Sequence, residues 1–173
     1  FDNISIGVLY HIDNRNPALE MKKNIFLSLL TILFLSTQLE SLEVGKWNFV
    51  VDENYCYIGS LPTNEEGNYT QRGSTYVLVY RINRSSEKIV QITAGYNYDA
   101  SKPVTLKIDQ TTFVFFGKDD NAWTKDKDKE VIFAMKKGIN LIIQGYSSRG
   151  TLTTDVYTLK GFTAAFNQLS KDC

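Results

Sequence analysis

Alternation between apolar and polar residues dominates the chain from residue 47 onward. β-Branched and aromatic side chains recur at every second position, the pattern of strands that bury one face. In the first half of this region the alternating segments are 47–51, 55–58, 75–81 and 88–94. Between the second and third segments, residues 60–68 are polar and contain Pro62 and Gly67. This stretch therefore predicts a loop.

Two hairpins are predicted in the second half of the domain. Each consists of two extended segments, 104–108 with 111–116 and 139–146 with 151–159. The first pair is joined by only two turn-prone residues, and the second by a short polar loop that ends in Gly150. Both connections favour antiparallel pairing.

Two short helices complete the pattern. Residues 126–137 begin with acidic side chains, continue with an apolar middle and end with Lys136 and Lys137 before Gly138. This is the charge order that a helix dipole favours. Near the end of the chain, apolar residues follow the i, i+3, i+4, i+7 spacing of an amphipathic helix. These residues are Phe162, Ala165, Phe166 and Leu169.

The expected fold is all-β. About eight strands with short turns favour an immunoglobulin-like antiparallel β-sandwich with one or two short peripheral helices. A partly open barrel is the alternative, because the same alternating strands can close on themselves. Residues 42–173 are enough for one domain with a core and too few for two.

A secretory signal peptide is predicted upstream of this domain. A basic start at residues 21–23 is followed by an apolar run at 25–35, which is shorter than the ~20 residues needed to cross a bilayer. We assign residues 21–41 to the signal peptide, residues 1–20 to an extension outside the native product, and residues 42–173 to the exported domain. The expected location is the periplasm or outer envelope, with no transmembrane domain after cleavage. A buried core helix and a retained membrane anchor are the alternatives.

The two cysteines of the chain are Cys56 and Cys173. An even pair in an exported protein predicts a disulfide, which would tie the C-terminus to an early strand. A catalytic cysteine or a metal ligand is the competing interpretation. The single histidine, His11, lies upstream of the signal peptide, so the domain lacks the partner for a Cys-His or Ser-His-Asp site and for the usual zinc sites. No metal and no cofactor is predicted.

The charge balance excludes another class of function. The formal net charge is zero, with 19 basic and 19 acidic residues mixed along the chain, which argues against nucleic acid as a partner. Carboxylates remain as the only candidate catalytic groups. The adjacent pairs are Glu65 with Glu66 and Asp119 with Asp120, but neighbours on a strand point to opposite faces. No catalytic residue is therefore assigned.

Several short motifs follow one another along the exported domain. They are Trp47-x-Phe49, Cys56-Tyr57-Ile58, Thr93-Ala94-Gly95-Tyr96, Ala122-Trp123, Ala134-Met135-Lys136-Lys137-Gly138, Ser147-Ser148-Arg149-Gly150-Thr151, residues 154–165 and the terminal Cys173. Their order and spacing resemble the invasion-associated locus B proteins of alphaproteobacteria. The resemblance implies an exported, envelope-associated β-sandwich without established catalytic residues, linked in some intracellular pathogens to host-cell entry.

The preferred interpretation is a non-enzymatic envelope protein that binds an unidentified protein or glycan of the envelope or host. Ser147, Ser148 and Arg149 are the candidate contact residues, because a guanidinium among hydroxyl groups can bind a carboxylate or phosphate. The structural alternative is that Gly150 serves the turn, while Arg149 pairs with Asp155 or faces water.

Two other functions stay open at this point. A carboxylate-based hydrolase or lyase acting on envelope glycans needs two carboxylates about 5–10 Å apart across a cleft. A structural or chaperone-like periplasmic module needs a long, uncharged edge strand that accepts a strand of its partner.

Overall fold

The computed structural model describes residues 42–82 and 85–173. The predicted signal peptide and the extension before it lie outside the described residues. Within the described part, neither helix is long and apolar enough to span a membrane.

The described residues form ten strands and two helices. The strands are β1 (Asn48–Val51), β2 (Tyr55–Ser60), β3 (Asn64–Gly67), β4 (Tyr76–Ile82), β5 (Ile89–Thr93), β6 (Val104–Ile108), β7 (Thr111–Lys118), β8 (Asn121–Trp123), β9 (Asn140–Tyr146) and β10 (Leu152–Thr158). The helices are α1 (Asp128–Lys137) and α2 (Phe162–Asp172).

All ten strands belong to one antiparallel sheet with the order β1-β2-β4-β5-β8-β7-β6-β9-β10-β3. Strand β7 pairs with β6 through residues 111–115 and with β8 through residues 116–118. The sheet curls, with β7 belonging to both of its halves. The prediction of an all-β fold with two short helices is confirmed. An immunoglobulin-like sandwich is not confirmed, because the strands form one continuous ladder rather than two separate sheets.

The core lies inside the curled sheet. On strands such as β4 and β10 every second side chain points inward, namely Val77 and Val79 on β4 and Thr153, Asp155 and Tyr157 on β10. Most of these inward residues are apolar, and Val77, Val79 and Tyr157 are fully buried. Among the buried polar residues, Asp155 is the charged one, and it places a carboxylate in the interior with only 2% of the residue exposed.

The structure differs from the sequence prediction at two strands and at the start of one helix. The predicted loop 60–68 contains β3, whose four exposed residues Asn-Glu-Glu-Gly have low strand propensity and are held by their pairing with β10. Strand β8 was not predicted, because three residues are too few to show an alternating pattern. Helix α1 begins at Asp128 rather than at residue 126, since Asp126 has a non-helical φ of +109°.

Gly138 ends helix α1 for a reason of packing. Its φ is −77°, a conformation open to any residue. A Cβ at this position would lie 2.4 Å from Cγ2 of Ile108 and 2.9 Å from Cδ1 of Leu159. The glycine therefore allows the end of the helix to approach the sheet closely.

Helix α2 closes one side of the core. Its four predicted apolar residues are buried, and Phe162 packs edge-on against Trp47 with ring centroids 4.8 Å apart. The Nε1 of Trp47 donates a hydrogen bond of 2.9 Å to the carbonyl of Thr158. The disulfide between Cys56 and Cys173 is present, with Cα atoms 5.9 Å apart, so helix α2 is covalently tied to strand β2.

Removal of this disulfide should destabilise the domain without changing its strands. The bridge spans 117 residues, and in the chain-entropy model a loop of this size contributes about 4–5 kcal/mol. We expect Cys173→Ser to lower the melting temperature and the free energy of unfolding, with the far-ultraviolet circular dichroism unchanged.

The reduced wild-type protein is the control, because it should melt at the temperature of the variant. Equal melting temperatures for the oxidised wild type and the variant would show that the bridge contributes nothing to stability.

Candidate functional site

A buried ion pair lies at one end of the curled sheet. Arg72, in the loop between β3 and β4, forms two parallel hydrogen bonds with Asp155 on β10, 2.6 Å from Nη1 to Oδ1 and 2.7 Å from Nη2 to Oδ2. The Nε of Arg72 donates to the carbonyl of Ala94, 2.7 Å away. Both charged side chains are 3% exposed. This arginine thus joins a loop to β10 and to the end of β5.

The surroundings of Arg72 keep it charged. Burial disfavours the guanidinium, but the hydrogen bonds and charge of Asp155 outweigh that effect and raise the pKa of Arg72 above its ordinary value. The Cζ of Arg72 lies 5.6 Å from the ring centroid of Tyr69 and 5.1 Å from that of Tyr96, within cation–π distance. Glu65, on β3, adds a longer contact of 3.5 Å to Nη1.

Tyr96 contacts both Arg72 and strand β10. Its hydroxyl lies 2.7 Å from Oγ1 of Thr153 on β10, and its ring meets Tyr98 edge-on with centroids 5.3 Å apart. Burial raises the pKa of Tyr96, which keeps the hydroxyl in its neutral, hydrogen-bonding form.

Two glycines let the loop approach the end of β5. Gly73 donates its N–H to the carbonyl of Gly95 at 2.9 Å. Gly95 has a φ of +70°, and a Cβ there would lie 2.2 Å from the carbonyl oxygen of Gly73. Glycine is required at residue 95 both for its conformation and for this contact.

A surface cleft of about 670 Å³ opens beside the ion pair. It is formed by the β3–β4 loop, the segment after β5 and the β9–β10 turn. The lining residues are arginine, tyrosine, amide, hydroxyl and glycine residues: Asn68, Tyr69, Thr70, Gln71, Arg72, Gly73, Gly95, Tyr96, Asn97, Ser147, Ser148, Arg149, Thr151 and Thr153.

The β9–β10 turn is held by hydrogen bonds from both sides. Ser147 is only 8% exposed, and its hydroxyl accepts the N–H of Thr151 at 3.1 Å. The N–H of Ser148 donates to the carbonyl of Asn97, 2.8 Å away. Gly150 has a φ of +85°, as the turn requires. The turn is therefore fixed against the opposite wall of the cleft.

Arg149 projects from this turn at the cleft. It is exposed and has no ion-pair or hydrogen-bond partner among residues 42–82 and 85–173. The suggested pairing of Arg149 with Asp155 is wrong, because both oxygens of Asp155 accept hydrogen bonds from Arg72. The structure thus brings Ser147, Ser148 and Arg149 to one cleft, and no residue of the described part of the chain pairs with the arginine.

Sequence reasoning missed Arg72 and the role of Asp155. One signal was available: Asp155 occupies an inward position of a strand between Thr153 and Tyr157. A carboxylate at such a position needs a buried cationic partner. The loop that supplies this partner carries no periodic pattern that could have identified Arg72.

The buried carboxylate of Asp155 does not face the cleft together with that of Glu65. Asp155 and Glu65 are cross-strand partners, but Asp155 is fully engaged with Arg72 and neither residue lines the cleft. Among the described residues, no group of three or more His, Cys, Asp or Glu side chains is placed to hold a metal ion. The absence of a metal or cofactor stays a prediction.

The edge strands are β1 and β3, each four residues long. Strand β3 carries Glu65 and Glu66, and charged residues on a short edge oppose pairing with a foreign strand. Strand β3 therefore does not favour the module that accepts a partner strand, whereas β1 carries no charged residue.

The fold and the cleft define a small all-β domain that is closed by one disulfide and one buried ion pair. Residues 49–170 match the sequence model of the Invasion associated locus B (IalB) protein family. The chain belongs to this family.

The fold is also similar to a solved structure, the crystal structure of invasion associated protein B from Bartonella henselae. The TM-score is 0.52 at 20% sequence identity, and the alignment covers 75% of this chain and 94% of that chain. At this identity the likeness establishes the fold alone. No curated protein matches the sequence.

Breaking the ion pair from one side should be costly. Arg72→Met leaves Asp155 buried without its partner, and loss of one member of a buried pair costs about 3–5 kcal/mol. We expect Arg72→Met and Asp155→Leu each to lower the free energy of unfolding in urea by this amount.

The double variant is the control, because it removes both charges. Its loss should be clearly smaller than the sum of the two single losses, since no unpaired charge remains in the interior. Additive losses would mean that the two side chains do not act as a pair.

Proposed function

We propose that this chain is an exported, non-enzymatic protein of the cell envelope that binds a protein or glycan partner through the cleft. The observation that carries the proposal is the composition of the cleft. Its lining combines the guanidinium of Arg149, which has no ion-pair partner among the described residues, with amide and hydroxyl groups and the rings of Tyr69 and Tyr96. Such groups bind and orient a ligand by hydrogen bonding.

A hydrolase or lyase is less well supported by the same cleft. General acid–base catalysis needs a titratable group within hydrogen-bond reach of the reacting atoms. The carboxylates nearest to the cleft, Asp155 and Glu65, are directed at Arg72 instead. Burial raises the pKa of Tyr96, which keeps its hydroxyl protonated.

Export is supported by the disulfide and by the contacts of Leu42 and Val44, which directly follow the predicted signal peptide. A disulfide persists in an oxidising compartment. Val44 forms an isolated parallel β-bridge with Leu61. The side chain of Leu42 covers Gly59, where a Cβ would lie 2.7 Å from Cδ2 of Leu42. A product that begins at or shortly before Leu42 keeps these contacts.

N-terminal sequencing of the protein recovered from the periplasmic fraction tests the export. We expect the product to begin at Leu42 or within the five residues before it, because later cleavage would remove the cover of Gly59. A purified cytoplasmic protein that still begins at Met21 would contradict the export and the oxidising location together.

Partner capture tests the cleft. The oxidised protein, immobilised and exposed to envelope extract, should retain a partner that Arg149→Ala retains at least about tenfold less, the effect of losing a charge-assisted hydrogen bond. Asn97→Ala, on the opposite wall, should also reduce capture, since its side chain is exposed.

Lys160→Ala is the matched control. Lys160 is also exposed and cationic, but it follows the other end of β10. The Lys160→Ala variant should retain as much of the partner as the wild type does. If all three variants retain the partner equally and melt as the wild type does, the cleft is not the binding site.

A further inference from the structure

We infer that the ligand of the cleft is a carboxylate-bearing saccharide and that Arg149 binds its carboxylate. This inference rests on the proposed function and names the class of ligand that the cleft takes. The cleft, at about 670 Å³, lies within the range of about 300–1,000 Å³ that is usual for small-ligand sites.

The charge of the cleft favours an anion. Two arginines line it, but the positive charge of Arg72 is neutralised by Asp155. Arg149 is left as an uncompensated cation, and none of the described lining residues is acidic. A ligand carboxylate can therefore enter without repulsion and accept two parallel hydrogen bonds from the planar guanidinium.

The neutral side chains favour a saccharide. Asn68, Gln71 and Asn97 are exposed amides that form no side-chain hydrogen bond with another described residue. The hydroxyls of Thr70 and Ser148 lie beside them in the lining. Amides and hydroxyls both donate and accept, so they match sugar hydroxyl groups, which do the same.

An acidic peptide fits the same cleft less well. Peptides are held by main-chain pairing to a sheet edge or by apolar pockets for their side chains. The nearest edge, β3, is four residues long and carries two glutamates, which would repel an acidic chain. The lining offers aromatic surface only at Tyr69 and Tyr96 and has no aliphatic side chain.

The site is formed before any ligand arrives. Two backbone hydrogen bonds join lining residues from different segments, one from Gly73 to Gly95 and one from Ser148 to Asn97. The loss of conformational entropy in these segments therefore occurs on folding and not on binding. This favours the affinity for a small polar ligand.

An array of defined oligosaccharides tests the inference. It carries uronic-acid and sialic-acid oligosaccharides, the same uronic-acid oligosaccharides as methyl esters, and neutral oligosaccharides of equal length. The oxidised exported protein should bind members of the free-acid set and bind their methyl esters about tenfold or more weakly. Arg149→Ala should lose the preference for the acid, Arg149→Lys should keep part of it, and Lys160→Ala should behave as the wild type.

The outcomes separate this inference from the proposed function. Equal binding of acids and esters, or an acid preference that survives in Arg149→Ala, would overturn the role of Arg149. If no saccharide binds while capture from envelope extract still depends on Arg149, the saccharide is wrong and the cleft remains the partner site. If the partner captured from envelope extract is an acidic peptide and not a saccharide, the proposed class of ligand is wrong. Loss of both kinds of binding would overturn both proposals.

Discussion

The buried ion pair between Arg72 and Asp155 is the interaction on which the cleft depends. Removing two charges from water costs several kcal/mol per ion, and the pair recovers this only through close geometry and further hydrogen bonds. Here both conditions are met, with two parallel bonds of 2.6 and 2.7 Å and a third from Nε to Ala94. Because these partners belong to β10 and the end of β5, one side chain fixes the loop that forms a wall of the cleft.

The same arrangement explains why the two arginines of the cleft differ. Arg72 uses its donors on Asp155 and Ala94, and the rings of Tyr69 and Tyr96 lie against it. Arg149, on a turn held by Ser147 and the carbonyl of Asn97, has no such partners in the described part of the chain. One guanidinium therefore builds the site and the other is available to a ligand.

The sequence predicts the elements that bury an apolar face and misses those that tertiary contacts create. The alternation of β4 and the spacing of α2 identify both elements, because an element that is buried on one face has apolar residues at regular intervals. Strand β3 has no periodic apolar pattern, since its four residues are all exposed. The sequence predicts the turn that carries Arg149, because its composition stands out. It does not predict the partner of Asp155, because the two residues of the ion pair lie 83 positions apart in the chain.

The central claim is that the ion pair holds the walls of the cleft in place, and native-state amide hydrogen exchange tests it most directly. The amides of Gly73, Ser148 and Thr151 are hydrogen-bonded across or within these walls, so in the wild type they should exchange slowly. In Arg72→Met they should exchange about tenfold or more faster, while the amide of Val79, in the core strand β4, keeps its place among the slowest. Unchanged exchange at the three cleft amides in a folded Arg72→Met protein would contradict the account.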